Sequence, residues 1–153
     1  MFDRIVVSTA MDAERLQTFC LDLGIRLVIL FGSRAKATPT AAPGSDLDVA
    51  VLPPRDWTSG EVFRKCLAEF GEVFANYDLD LVPLNNADPL FRYEIMRDGV
   101  LLYGNVDDFL EYKAFAFRDF VDSEDLRALE EKLFQKKMAF IRHELNVAEG
   151  FSS

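Results

Sequence analysis

Histidine, cysteine and long apolar runs are all scarce in this sequence. His143 is the only histidine and has no suitably spaced metal ligands around it, so a histidine-based metal site is not expected. Cys20 and Cys66 are the only cysteines, and each falls in an apolar helical pattern, which predicts buried, reduced thiols. No apolar run approaches the roughly 20 residues that span a bilayer, and the first residues lack the basic start and apolar stretch of a signal peptide. We therefore expect a cytoplasmic protein without a membrane segment.

Positive charge is also in short supply. The 17 basic and 26 acidic side chains give a formal net charge of −9. This balance disfavours extended contact with a phosphate backbone, because such contact needs a basic surface. It still permits one bound nucleotide, since a metal ion can supply positive charge locally. Direct nucleic-acid binding is therefore not expected.

Apolar residues, by contrast, suffice for a sizeable core. They form 50% of the 153 residues, and a chain of this length usually folds as one domain that buries about two thirds of its unfolded surface. Their periodicity predicts an α/β core of about four short strands and several helices, followed by C-terminal helices. We place the core at residues 1–104 and treat 105–153 as a C-terminal helical extension of the same domain. The predicted helices cover 11–23, 58–75, 88–99, 107–121 and 123–148, and the predicted strands cover 25–31, 46–52, 77–84 and 100–104.

Acidic residues occur inside two of the predicted strands. In the segment DLDVAVL, Asp46 and Asp48 point to the same side, roughly 6.6 Å apart along the chain. Their repulsion is costly unless a cation lies between them, and carboxylate oxygens are ligands that suit Mg²⁺. The segment DLDLVPL repeats the pattern, so Asp78 or Asp80 supplies a third carboxylate. Strand alternation does not choose between these two, because both point the same way.

A Gly-Ser pair follows the first predicted strand. Gly32 lets the backbone approach a phosphate closely, and Ser33 adds a hydroxyl donor at the start of a short predicted helix, where free N–H groups bind anions. Taken alone, a Gly-Ser pair is more often a simple turn, and an acidic pair is more often a solvated strand end. Their order and their positions at strand ends favour one site that holds a phosphate tail next to a metal ion.

These segments together resemble the minimal nucleotidyltransferase (MNT) family of the DNA polymerase beta-like superfamily. The likeness is carried by FGSRAKATPTAAPGSDLDVAVL, DLDLVPL and IMRDGVLLYG, and it covers about residues 12–104. The resemblance implies the nucleotidyltransferase fold, which is an α/β (α+β) fold with a small mixed sheet of about four strands flanked by helices. In that family Gly32 and Ser33 match the phosphate-binding pair, and Arg34, with Lys36 as the alternative, is placed to neutralise the phosphate tail.

The resemblance also assigns the three carboxylates. Asp46 and Asp48 match the residues that hold the metal ions, and Asp80 matches the third acid, which binds the catalytic metal and helps to deprotonate the attacking hydroxyl. Asp80 is preferred to Asp78 because the LVPL that follows it resembles the end of the family's strand. Two departures are a long stretch between Ser33 and Asp46 and an alanine where the family commonly has glycine after Lys36; neither touches the carboxylates.

The implied reaction is the transfer of AMP from ATP, with two Mg²⁺ ions, to a hydroxyl group. Family members of similar size and layout are antitoxins of HEPN toxins, which implies a tyrosine of such a toxin as the acceptor. Two other interpretations remain open. In the first, the chain is a non-catalytic antitoxin that neutralises its toxin by stoichiometric binding. In the second, it is a small-molecule nucleotidyltransferase, which its short length disfavours.

Overall fold

Four strands form one mixed sheet in the computed structural model of the chain, which describes residues 11–32 and 46–151. Their order across the sheet is β3-β2-β1-β4. Strand β1 is antiparallel to both of its neighbours, whereas β2 and β3 are parallel. The predicted α/β class with a small four-stranded mixed sheet is confirmed. The strands are β1 (Leu27–Phe31), β2 (Asp46–Leu52), β3 (Asp78–Pro83) and β4 (Val100–Tyr103).

Three helices of ordinary length flank the sheet, and their ends follow local sequence signals. The side chain of Asp12 accepts a hydrogen bond from a backbone N–H in the first turn of α1, and Gly24 ends that helix with φ of 73°. Helix α2 starts with the predicted capping box, in which the Thr58 and Glu61 side chains each accept from the other residue's backbone N–H. Because β2 and β3 are parallel, they need a crossover connection, and α2 provides it. The helices are α1 (Ala13–Leu23), α2 (Ser59–Val73) and α3 (Pro89–Asp98).

Both faces of the sheet are covered by apolar side chains. Helices α1 and α2 pack on one face, where Leu47 and Val49 of β2 meet Phe70 of α2. Helix α3 covers the opposite face, where Ala50 of β2 meets Ile95. The alternation predicted for β2 is therefore confirmed, and it places the acidic residues of that strand on the α3 side of the sheet.

The C-terminal residues form one helix, α4 (Val106–Phe151), where the sequence predicted two. The predicted break at Val121, Asp122 and Ser123 is wrong. None of these residues is glycine or proline, so none removes a backbone hydrogen bond or carries a large helix penalty. A charged, serine-containing step in the apolar pattern is therefore insufficient to end the helix.

The chain divides into two compact units, one ending at Phe117 and the other beginning at Arg118. The first contains the sheet, α1 to α3 and the start of α4. The second contains the remainder of α4, which carries large apolar side chains that are exposed. The proposed boundary between residues 104 and 105 stays a prediction. The exposed apolar residues of the second unit are Val121, Leu126, Leu129, Leu133, Phe134, Phe140, Ile141, Leu145 and Val147.

Both cysteines lie free in the core, as predicted. Burial raises the pKa of the Cys20 thiol to about 12 and that of Cys66 to about 11. Both thiols therefore stay protonated at neutral pH and behave as small apolar side chains. Within the described ranges, no helix is long and apolar enough to cross a membrane.

Candidate active site

Three side chains from three adjacent strands form a row across the α3 side of the sheet. Asp80 of β3 is the register partner of Asp48 of β2. Asp48 is in turn the register partner of Phe31 at the end of β1. Register partners project to the same face and lie about 4.8 Å apart from strand to strand. We call Asp80, Asp48 and Phe31 the cross-strand row.

The two carboxyl groups of this row interact directly. The pKa of Asp48 is raised, first because burial penalises its charged form, and then because Asp80 and Asp46 repel its negative charge. A hydrogen bond between the Asp48 and Asp80 side chains stabilises the protonated form further. This is the behaviour expected of two carboxylates that share a site without a cation between them.

Gly32 brings the backbone against the same carboxyl group. It follows Phe31 directly and has φ of 77°, a left-handed conformation that favours glycine. A Cβ atom at this position would overlap the Oδ2 atom of Asp48 and lie 3.2 Å from its Cγ atom. The missing side chain of Gly32 therefore leaves the room in which the Asp48 carboxyl lies.

The other two acids of the strands lie two residues before Asp48 and Asp80, on the same face of the sheet. Asp46 pairs with Asp78, and both are exposed at the first residues of their strands. Asp46 is close enough to repel the charge of Asp48. The register sets Asp80 beside Asp48 and Asp78 beside Asp46. Asp80 as the third acid therefore stays a prediction.

The carboxylates have the donor chemistry of a magnesium site. Mg²⁺ is usually held by one or two carboxylates together with waters and substrate phosphates, and the Asp48–Asp80 pair supplies that number. The repulsion that raises the pKa of Asp48 is the repulsion that a divalent cation relieves. In the part of the chain that the structure describes, no group of three or more His, Cys, Asp and Glu side chains is arranged to hold one ion. Asp46 thus stands near the pair without completing a three-acid cluster.

The predicted phosphate-binding residues are only partly visible. Gly32 lies at the end of the first described segment, next to Asp48. Ser33, Arg34 and Lys36 lie outside the described residues.

Sequence inspection missed the aromatic side of the site. The rings of Phe31 and Phe91 meet edge to face, with centroids 5.8 Å apart and planes inclined by 76°. Phe91 belongs to the first turn of α3, far from Phe31 in the sequence. The only available signal was the aromatic residue directly before Gly32, which we interpreted simply as the end of a buried strand.

A separate cavity of about 490 Å³ lies elsewhere in the first unit. Its lining includes Leu16 of α1, Arg26, Tyr103 of β4 and Asp108 of α4, and it includes none of the strand carboxylates. Chemistry that needs the acids therefore has to take place on the open α3 side of the sheet and not in this cavity.

Comparison with known protein families also indicates a nucleotidyltransferase. The family model described as "Polymerase beta, Nucleotidyltransferase" matches residues 14–108. This range contains every residue of the cross-strand row as well as Gly32. The match covers well over half of the chain.

Individual relatives were also found. The protein adenylyltransferase MntA of Aphanizomenon flos-aquae (strain 2012/KM1/D3) is 29% identical over 126 residues, which span 77% of this chain and 81% of the relative. A crystal structure of a toxin–antitoxin with AMP-PNP matches with a TM-score of 0.56 at 21% identity, over 84% of this chain and 99% of the other. A structure of the tri-AMPylated Shewanella oneidensis HEPN toxin in complex with MNT antitoxin matches with a TM-score of 0.55 at 19% identity, over 82% and 95% of the two chains. At these identities the solved structures establish the shared fold.

Proposed function

We propose, on the premise that this chain belongs to the polymerase beta nucleotidyltransferase family, that it transfers AMP from ATP to a hydroxyl group of a partner HEPN toxin. In doing so it acts as the antitoxin of that partner. The observation that carries the proposal is the Asp48–Asp80 register pair, whose Asp48 carboxyl lies against the left-handed turn at Gly32.

The arrangement suits in-line attack on a phosphorus atom. The glycine turn at Gly32, next to the carboxyl pair, is the kind of backbone that a phosphate tail approaches closely. The acceptor oxygen forms a bond to the α-phosphorus, the bond from that phosphorus to the bridging oxygen breaks, and pyrophosphate leaves. The proton of the acceptor hydroxyl passes to the carboxylate of Asp80, which is exposed on the edge strand β3.

The metal requirement follows from the charges. Divalent cations, when bound, neutralise the phosphates and stabilise the attacking and leaving oxygens. Asp48 and Asp80 would hold such a cation, with Asp46 as a further ligand once its side chain turns toward the pair. The site is otherwise strongly negative and would repel a nucleoside triphosphate.

The partner is proposed from the relatives. MntA is named a protein adenylyltransferase, and the Shewanella structure pairs an MNT antitoxin with an AMPylated HEPN toxin. A protein acceptor also fits the shape of the site, because the carboxylates lie at the edge of a small sheet that a partner can cover. We propose a tyrosine hydroxyl as the acceptor, whose pKa near 10 makes help from the base necessary.

One labelling experiment tests this function. The purified chain is incubated with Mg²⁺, ATP labelled at the α-phosphate and the product of the neighbouring gene, which the proposal expects to be a HEPN-type protein. We expect label on the partner from the wild-type chain and none from Asp48→Asn, while Asp78→Asn serves as the matched control on the same face. Label that stays in ATP with every chain contradicts the proposal, and label that appears only on small molecules supports a small-molecule transferase instead.

The second unit also favours neutralisation of the partner by direct binding, in addition to AMP transfer. Helix α4 exposes a series of large side chains, among them Leu129, Leu133 and Phe140 with 53%, 57% and 64% exposure. Apolar side chains of this size and number are typical of protein-interaction surfaces. If the chain neutralises its partner by binding alone, Leu133→Glu will abolish neutralisation of the toxin and Asp48→Asn will retain it. If neutralisation requires AMP transfer, Asp48→Asn will abolish it.

A further inference from the structure

An aromatic pair closes one end of the cross-strand row. Phe31, the last residue of β1, lies beside Asp48 of β2 and directly precedes Gly32. The rings of Phe31 and Phe91 meet edge to face, with their centroids 5.8 Å apart. Phe91 is therefore one side chain removed from the carboxyl pair, although it belongs to a different layer of the fold.

The two rings differ in their surroundings. Phe31 packs against the apolar cluster between the sheet and α3 and is only partly accessible. Phe91 is 39% exposed, and the neighbouring Leu90 is 38% exposed. Phe31 thus supports the Phe91 ring, while part of the Phe91 side chain faces solvent. Single exposed apolar side chains are common on protein surfaces, so the significance of Phe91 lies in its place next to the carboxyl pair and not in its exposure alone.

We propose that Phe91 is the stacking surface for the purine base of the bound nucleoside triphosphate. The inference rests on the function proposed above, and it adds the residue that binds the part of the nucleotide which the acids and Gly32 do not contact. A phosphate tail at Gly32 makes no favourable contact with an apolar ring, whereas a base has a flat apolar face of matching size that can stack on it. The edge-to-face contact with Phe31 fixes the ring in one orientation, which lowers the entropy lost when a base stacks on it.

Stacking predicts a particular kind of selectivity. Every base has a π face, so a stacking residue distinguishes a nucleotide from a bare polyphosphate far better than it distinguishes one base from another. Removing the ring should therefore weaken ATP binding and leave the binding of inorganic tripolyphosphate unchanged. By contrast, loss of a phosphate-binding or metal-binding residue should weaken the binding of both ATP and tripolyphosphate.

The experiment compares these two ligands on a set of variants of the full chain. Dissociation constants for ATP and for inorganic tripolyphosphate, each with Mg²⁺, are measured by calorimetry. Base stacking on an aromatic side chain corresponds to roughly 5- to 100-fold in affinity. We expect Phe91→Ala and Phe91→Leu to weaken ATP binding by that factor without changing tripolyphosphate binding, and Phe91→Trp to retain it. Phe91→Leu keeps most of the packing volume, so it separates the loss of stacking from any loss of folding.

A matched control and a second signal complete the test. Phe63 has a similar exposure, 43%, but belongs to α2 on the other side of the sheet, so Phe63→Ala should change neither constant. In Phe91→Trp, ATP should quench the fluorescence of the introduced indole and tripolyphosphate should not. If Phe91→Ala and Phe91→Leu bind ATP as tightly as the wild type, the stacking proposal is wrong and the proposed function stands. If the wild type neither binds ATP nor transfers AMP, the proposed function itself is wrong, and the stacking proposal falls with it.

Discussion

Asp48 and Asp80 occupy the same register position on the parallel strands β2 and β3, so their side chains project to the same face of the sheet. The sheet fixes the backbones of these two acids next to each other, so their charges repel when both are ionised. A divalent cation would relieve this repulsion, which is the role that the proposed function gives to magnesium.

Replacing Asp48 by asparagine should raise stability and remove activity. Asp48→Asn eliminates the repulsion and burial penalty that raise the pKa of the native carboxyl, so without Mg²⁺ the thermal midpoint should increase. AMP transfer should fall by about 100-fold or more, because a group that acts on the reacting centre is lost. Differential scanning fluorimetry and the labelling assay measure the two effects. A variant that is both less stable and equally active would show that the pair is structural.

Magnesium should distinguish the two acidic register pairs. Under the proposed function, Mg²⁺ binds the folded carboxyl pair, so the thermal midpoint of the wild type should rise as the Mg²⁺ concentration increases. Asp80→Asn should lose most of this response, whereas Asp78→Asn, which lies next to Asp46, should keep it. Calcium and potassium titrations at matched ionic strength control for screening. Equal loss in the two variants would point to general surface electrostatics and away from a site at Asp48 and Asp80.

Glycine substitutions should have opposite effects at two positions. Gly32→Ala places a side chain in a left-handed conformation, at a cost of about 1–2 kcal/mol, and its Cβ displaces the Asp48 carboxyl. We expect lower stability together with a large loss of transfer. Gly71→Ala, inside α2 with open space around it, should gain about 0.5–1 kcal/mol and leave transfer unchanged. Urea denaturation and the labelling assay measure both, and a fully active Gly32→Ala would contradict the proposed role of the turn.

Much of this fold could be predicted from the sequence because its local signals agree with each other. The alternation in DLDVAVL predicted the span of β2 from Asp46 to Leu52 and the face of its acids. Alternation alone did not choose between Asp78 and Asp80, since it fixes which face a residue is on and not which residue on the next strand lies beside it. That choice depends on register, which the β2–α2–β3 crossover determines.

Two features depended on information that local patterns do not carry. The continuity of α4 through Val121 was missed, because an interruption of the apolar stripe was interpreted as the end of one helix and the start of the next. The Phe31–Phe91 contact was missed because it joins residues from different layers. In both cases the deciding factor is what the residues pack against, which a sequence window does not show.

The core should respond far more strongly than the surface to the loss of an aromatic ring. Phe70 is fully buried and meets Phe19 and Phe74 edge to face, with centroids 5.8 Å and 6.2 Å away. Phe70→Ala should therefore cost about 3–5 kcal/mol of unfolding free energy. Phe63→Ala, at an exposed position of the same helix, should change it by only about 0.5 kcal/mol. Urea denaturation of both variants provides the comparison, and similar costs would show that α2 does not pack as described.

The capping box of α2 should make stability depend on pH. The backbone N–H of Thr58 donates to the Glu61 carboxylate and, as the largest cause, lowers the pKa of Glu61; the nearby Lys65 ammonium acts in the same direction. A carboxyl group whose folded pKa is depressed stabilises the fold above its unfolded value of about 4.3, and this contribution is lost as pH falls through the folded pKa. Glu61→Gln should therefore be less stable than the wild type at neutral pH, and the difference should shrink below about pH 4. Thr58→Ala removes the uncharged half of the box and should cost about 1 kcal/mol at every pH. Urea denaturation between acidic and neutral pH measures both variants; a constant Glu61→Gln difference across that range would show that the carboxylate charge does not stabilise the start of α2.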